Sequence, residues 1–165
     1  MDNQYLDGLM RPKSIAVLGA SSDPTKIGHS VIKNIIEGGY EGKIYPINLK
    51  SEEILGVKCY KSMLDVPGEI DAAVITIPAK FVLEAIEEAG KKGVKGLIII
   101  TSGFSEVGNK ELEEQLVAKA HEHGIRILGP NIVGTLSNAE KLNASFAPIL
   151  PLVGKGALVS QSGAL

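Results

Sequence analysis

Gly19-Ala20-Ser21-Ser22 follows the apolar run Ser14-Ile15-Ala16-Val17-Leu18. It precedes a segment with apolar residues at helical spacing: Ile27, Val31, Ile32, Ile35 and Ile36. Small residues in such a turn let an anion approach the backbone, and the free N–H groups and positive end of the following helix converge on it. The chemistry this predicts is phosphate binding. The spacing is not that of a dinucleotide fingerprint, because Gly19 and Gly28 are separated by a longer loop that contains Asp23 and Pro24. That fingerprint also places an acid about 20 residues on to hold ribose hydroxyls. Here the second apolar run, Lys43-Ile44-Tyr45-Pro46-Ile47, is followed by Asn48-Leu49-Lys50. An amide and a cation in place of the acid suit a ribose that carries a phosphate. The alternative for Lys50 is an ordinary solvated lysine, one of 17 basic residues.

Three further loops follow strand-like runs and carry small or polar residues: Pro78-Ala79, Thr101-Ser102-Gly103-Phe104 and Gly129-Pro130-Asn131. Each alone is explained by turn chemistry. Together with the first turn they converge on one rim, and Pro78-Ala79 offers an apolar wall without an aromatic ring. The three histidines supply no catalytic set. His121 and His123 belong at a helix C-terminus, where a protonated ring meets the favourable end of the dipole. His29 lies in the first turn, either near phosphate or as a partly buried structural ring. Cys59 stands alone, which excludes an internal disulfide and a cysteine-clustered metal site. Lys58 and Lys61 flank it, but packing is its favoured role.

Apolar runs alternate with helix-like segments, which predicts an α/β fold with a Rossmann-like, doubly wound, mostly parallel sheet and helices on both faces. Strands are expected at 14–18, 43–47, 72–77, 96–100 and 126–128. One helix should bury Phe81, Val82, Ala85, Ile86 and Ala89 and pair Glu87 with Lys91 and Glu88 with Lys92. Another should bury Leu112, Leu116 and Ala120, start at an Asn109 cap and stop at Gly124. Right-handed crossovers then bring the carboxyl ends of all strands to one rim. With 165 residues, 44% hydrophobic, 22% charged and a net charge of -2, the chain suits one globular domain and argues against a nucleic-acid partner. The first residues lack a signal-peptide core and no run reaches membrane-spanning length, so a cytoplasmic protein with no membrane partner is expected.

Taken in order, Gly19-Ala20-Ser21-Ser22, Ile77-Pro78-Ala79, Thr101-Ser102-Gly103-Phe104 and Gly129-Pro130-Asn131 resemble the CoA-binding domain of nucleoside-diphosphate-forming acyl-CoA synthetases. The family includes ADP-forming acetate-CoA ligase and the succinyl-CoA synthetase α subunit, and this chain is more similar to the acetate-CoA ligase branch. The resemblance implies coenzyme A as ligand, with its phosphates on the turn of Gly19, Ala20, Ser21 and Ser22. It implies that Lys50 faces the nucleotide phosphates and that Pro78, Ala79 and Lys80 flank the nucleotide. Thr101, Ser102, Gly103 and Asn131 are implied towards the pantetheine end. Ile132 departs from the succinyl branch, which has a cysteine there.

The family's phosphate-accepting histidine lies in a later domain. The expected division is 1–150 for the CoA-binding domain, with 151–165 as a final strand, Ala157-Leu158-Val159-Ser160, and the start of a truncated second domain. The implied partners are CoA, the remaining α-subunit domains and an ATP-grasp domain or β subunit. A fragment of that kind should bind CoA but be inactive alone. An NADP-dependent oxidoreductase domain and a stand-alone CoA-binding regulatory module are the alternatives.

Overall fold

The computed structural model describes residues 4–154. The expected strand at 157–160 and the start of a second domain lie outside these residues. Five parallel strands form the central sheet: β1 Ser14–Leu18, β2 Lys43–Ile47, β5 Ala72–Ile75, β6 Gly96–Ile99 and β7 Arg126–Leu128. Their spatial order is β2-β1-β5-β6-β7. The chain leaves β1 towards one edge to form β2, then returns to the other side of β1 to form β5. The reversal opens a crevice over the carboxyl end of β1, where ligands of such sheets bind.

Strand residues alternate between two apolar layers, as a sheet covered on both faces requires. Ala16, Leu18, Ala73, Ile75, Leu97 and Ile99 face α3 (Val82–Lys92) and α4 (Lys110–Glu122), which bury Ala85, Ile86, Ala89, Leu116 and Ala120. Ile15, Val17, Val74 and Ile98 face α1 (Gln4–Met10) and α2 (Ile27–Glu37), which bury Leu9, Val31, Ile32 and Ile35. Ile27 and Ile36, expected in the α2 stripe, are exposed instead at 47% and 37%. They lie at the two ends of α2, where the helix runs past the sheet.

β5 and β6 end at Ile75 and Ile99, short of the expected 77 and 100, because the backbone turns into the rim loops there. Leu112 is only partly buried against the core. Asn109 stands at the start of α4, but its side chain does not cap the helix; it donates to the Gly103 carbonyl at 3.3 Å. Glu87 and Lys91 pair at 3.5 Å as expected. Glu88 and Lys92 do not pair: Glu88 accepts from Ser62 Oγ and from Met63 N–H, and Lys92 donates to the Val66 carbonyl.

Three elements are additions to the expected order. Helix α1 packs Leu9 under the sheet. A short hairpin, β3 Glu53–Ile54 with β4 Val57–Lys58, extends the edge beyond β2. The antiparallel pair β8 Gly134–Ser137 and β9 Leu142–Ser145 covers α2, with Leu142 and Ala144 in its core. Asn143 and Ser145 are buried there with their polar groups satisfied. Ser145 Oγ donates to Asn143 Oδ1 at 2.6 Å, and Asn34 Nδ2 donates to the carbonyls of Ser145 and Ala147 at 2.9 and 2.8 Å. Among the described residues no helix is long and apolar enough to cross a membrane.

Candidate functional site

The rim is stitched together in sheet order by hydrogen bonds from side chains and turns. At the end of β1, Gly19 adopts φ +86°, and an added Cβ would lie 2.6 Å from Thr76 Oγ1. Only glycine satisfies both constraints. Thr76 reaches across from β5 and donates through its hydroxyl and its N–H to the Leu18 carbonyl, at 2.7 and 2.9 Å. Thr101, beyond β6, donates its hydroxyl to Ile77 O at 2.8 Å, and Asn131 N–H, beyond β7, donates to Thr101 O at 3.0 Å. On the other flank, Asn48 Nδ2 donates to the Ala20 carbonyl at 2.7 Å. Five strand ends thereby hold one another in place.

The first turn is held open. Ser21 Oγ accepts from Asp23 N–H at 3.1 Å, which leaves its hydroxyl hydrogen free to donate, and Ser22 is exposed. Asp23 is itself engaged by Thr25, whose N–H and hydroxyl donate to Oδ1 at 2.9 and 2.7 Å and lower the carboxyl pKa. His29 holds the same turn from below, with Nδ1 donating to Ser21 O at 3.0 Å. A carbonyl can only accept, so this contact fixes the proton on Nδ1. Helix α2 starts from Lys26 without a side-chain cap; the His29 and Ser30 N–H groups donate to Lys26 O at 3.0 and 3.2 Å, and those of Ile27 and Gly28 are left at the helix start. Gly28 lies against Gly19: a Cβ at 28 would come within 1.9 Å of the Gly19 carbonyl oxygen. The sequence distance between the two glycines thus hides a direct backbone contact.

Beside this turn an open cleft of about 500 Å³ lies over the carboxyl ends of β1, β2 and β5 on the α3 side. Gly19, Asn48, Lys50, Lys61, Pro78 and Phe81 are among its walls. Three expected site residues, Gly19, Lys50 and Pro78, therefore share one cavity. Ala20, Ser21 and Ser22 lie next to it in the first turn. Ala20 is buried, and Ala79 and Lys80 start the turn that leads from β5 into α3. Lys80 Nζ stands 4.8 Å from the Phe81 ring centre, a cation–π contact.

Thr101, Ser102, Gly103 and Asn131 occupy the far half of the rim, outside this cleft. Gly103 adopts φ +111°, a conformation open to glycine, and gives its N–H to the Glu106 carboxylate, which together with the Phe104 N–H holds that carboxyl below its usual range.

Sequence reasoning misplaced Phe81, did not select Gly28, and noted Asn48 only as the amide in place of the ribose acid, not for its contact with the first turn. Phe81 was expected in the α3 core stripe, yet it is 45% exposed and supplies the aromatic surface missing from Pro78-Ala79. Its position three residues after Pro78, in the loop that follows β5, was the signal. For Gly28 the signal was a glycine opening an apolar helix, which lowers helix propensity and needs a packing reason. Cys59 is buried, and burial with nearby Glu53 raises its thiol pKa, which matches the packing role. A larger hollow of about 680 Å³ lies at the amino ends of the strands. In it Asp71 accepts from Lys13 N–H and Ser14 Oγ and pairs with Lys95 at 3.9 Å, and the hollow faces away from the crevice.

Residues 13–137 match a family described as CoA binding domain. The chain belongs to that family. Coenzyme A is the ligand that defines it, and the doubly wound fold is the expected one. This CoA-binding domain is 55% identical to the α subunit of acetate–CoA ligase [ADP-forming] I from Pyrococcus furiosus, over 97% of this chain and 36% of that protein. It is 51% identical to acetate–CoA ligase [ADP-forming] from Methanocaldococcus jannaschii, over 93% of this chain and 22% of that one. The apo form of dinucleotide-forming acetyl-coenzyme A synthetase 1 from Candidatus Korarchaeum cryptofilum superposes with a TM-score of 0.93 at 52% identity, covering 96% of this chain and 35% of that one. The chain thus spans about a third or less of the length of these relatives.

Proposed function

We propose that this domain holds coenzyme A for an ADP-forming acid–CoA ligase of the cytoplasm, of the kind that acts on acetate. The observation that carries the reading is the cleft at the strand reversal. It opens beside the first turn at Gly19, brings Lys50 and Lys61 together with no acid in Asn48-Leu49-Lys50 at the end of β2, and presents Phe81 and Pro78 as apolar surface. Glu88, the acid deepest in that wall, is occupied by Ser62 and Met63.

CoA phosphates lie against the Gly19–Ser22 backbone and the α2 start, and the ribose phosphate lies at Lys50. Pro78, Ala79, Lys80 and Phe81 flank the adenine, and pantetheine runs along the rim towards Thr101, Ser102, Gly103 and Asn131. Anchoring the phosphates remotely positions the thiol, so that the acyl group meets a fixed nucleophile. In the whole enzyme, phosphate passes from an acyl phosphate to a histidine of a later domain and on to ADP held by an ATP-grasp domain or β subunit. The boundary of the present domain near residue 150 is part of this proposal, and the exposure of Leu152 and Val153, 94% and 83%, supports it.

Calorimetry of the chain with CoA, NAD and NADP tests this. CoA should bind with modest affinity, since a ligand clamped by further domains loses buried surface when they are absent, and NAD should give no heat of binding. Tight NADP binding without a CoA response would overturn the reading in favour of an oxidoreductase domain.

A further inference from the structure

Among the described residues, Asn48 is the one side chain that hydrogen-bonds the β2-end loop to the first turn, across 28 residues of sequence. Its three side-chain contacts are all with backbone. Nδ2 donates to Ala20 O at 2.7 Å, while Oδ1 accepts from Lys50 N–H and from Ser51 N–H, each at 2.8 Å. Its own N–H donates to Tyr60 O at 2.9 Å, which pins the residue to the strand edge. These partners fix the amide orientation, because the reversed one would face two N–H donors with an NH2 group and a carbonyl with an oxygen.

The consequence is chemical. Free ribose hydroxyls are donors that need an acceptor at the end of this strand, and the acid of a dinucleotide site supplies one. Asn48 stands near that place with both lone pairs of its oxygen already filled. The Lys50 backbone is fixed by the same contact, and its side chain borders the cleft.

We propose that Asn48 is the positioning residue that sets the specificity of this end of the site: it withholds an acceptor from free ribose hydroxyls and aims Lys50 at a phosphate carried on the ribose. This rests on the reading of the cleft as a CoA site. It assigns the preference to the clasp as well as to the cation.

The test is calorimetry with CoA and 3'-dephospho-CoA on the parent, Asn48→Ala, Asn48→Asp, Lys50→Ala and the Asn48→Ala/Lys50→Ala pair, each checked by thermal melting. The parent should prefer CoA by about tenfold to a hundredfold. Asn48→Ala should lose most of that preference although Lys50 is intact, and the double variant should lose no more than Lys50→Ala alone, since the two act through one contact. Asn48→Asp keeps the acceptors for Lys50 and Ser51, loses the bond to Ala20 and adds a charge beside the cation. It should weaken CoA while leaving 3'-dephospho-CoA bound at least as well as in the parent. An Asn48→Ala protein that weakens both ligands equally and keeps the parental ratio overturns the proposal and leaves the CoA site standing. If that variant does not fold, the parental ratio retained by Asn48→Asp overturns it. A parent that binds neither ligand overturns the CoA reading itself, and the proposal with it.

Discussion

The rim and the outer face of α3 and α4 handle charge in opposite ways. On the helical face a single carboxylate gathers donors: Glu87 accepts from Lys119 at 3.1 Å and His123 at 3.0 Å, with Lys91 at 3.5 Å. At the rim, polar side chains bind backbone instead. Thr76, Thr101 and Asn48 each donate to a strand-end carbonyl. None of the ion pairs among the described residues includes a residue of the cleft, so Lys50 and Lys61 face solvent without a carboxylate partner within 4 Å. A surface that neutralises itself needs no ligand. A scaffold fixed by neutral contacts, with Lys50 and Lys61 beside the β2 end and Glu84 on the α3 wall unpaired among the described residues, leaves cations free for an anion that comes from outside.

The strongest way to break this contrast is to disturb the scaffold. Gly28→Ala places a Cβ 1.9 Å from a backbone oxygen, and neither α2 nor the Gly19 turn has a flexible side chain there to yield. The helix must move off the turn, at a cost of about 1–3 kcal/mol for overpacking and with CoA binding lost. Denaturant melts and calorimetry on the variant check both. Normal stability with normal CoA affinity would show that the Gly19–Gly28 contact is not what shapes the turn.

A smaller and more selective effect is expected from Lys50→Ala. Removing a charge-assisted contact to phosphate costs about 1.5–3 kcal/mol, roughly tenfold to a hundredfold in affinity. Lys50 is exposed, which places the loss towards the lower end. Folding stability should not change, because the cation has no partner among the described residues. An unchanged CoA affinity measured by calorimetry would move the ribose phosphate elsewhere, with Lys61 the next candidate.

The same contrast explains what could be read from the sequence. The central strands were legible because both faces of the sheet are covered, so Ile15, Val17, Val74 and Ile98 form uninterrupted apolar runs with few alternatives. The first turn was legible from its small residues. The hairpin of β8 and β9 was not, because its buried strand contains Asn143 and Ser145, whose polarity suggests a surface loop until their partners in α2 and the following turn are known. Phe81 was misread for the same reason in reverse: an apolar residue next to a core stripe was assigned to the core, while it faces the cleft. The roles of Gly28 and Asn48 depend on contacts 9 and 28 residues away in sequence, to Gly19 and Ala20, which no local pattern reports.

The smallest effect belongs to the helical face and tests the other side of the contrast. Hydrogen bonds from His123 and then Lys119 pull the Glu87 pKa from the usual 4.5 to about 2. A carboxyl depressed in the folded state contributes stability that is present above its unfolded pKa and disappears as pH falls through the folded value. The contribution of Glu87 should therefore be complete above about pH 4.5 and vanish between there and about pH 2. Glu87→Gln should lower the melting temperature slightly at neutral pH and remove part of the acid-side decline, with both differences shrinking as salt is added, since the cluster is solvent-exposed. CoA affinity should stay at the parental value, because the cluster lies outside the cleft. A Glu87→Gln protein with unchanged stability but altered CoA binding would mean that the two faces are coupled through α3, and that the separation between a self-neutralised surface and a ligand-facing one does not hold.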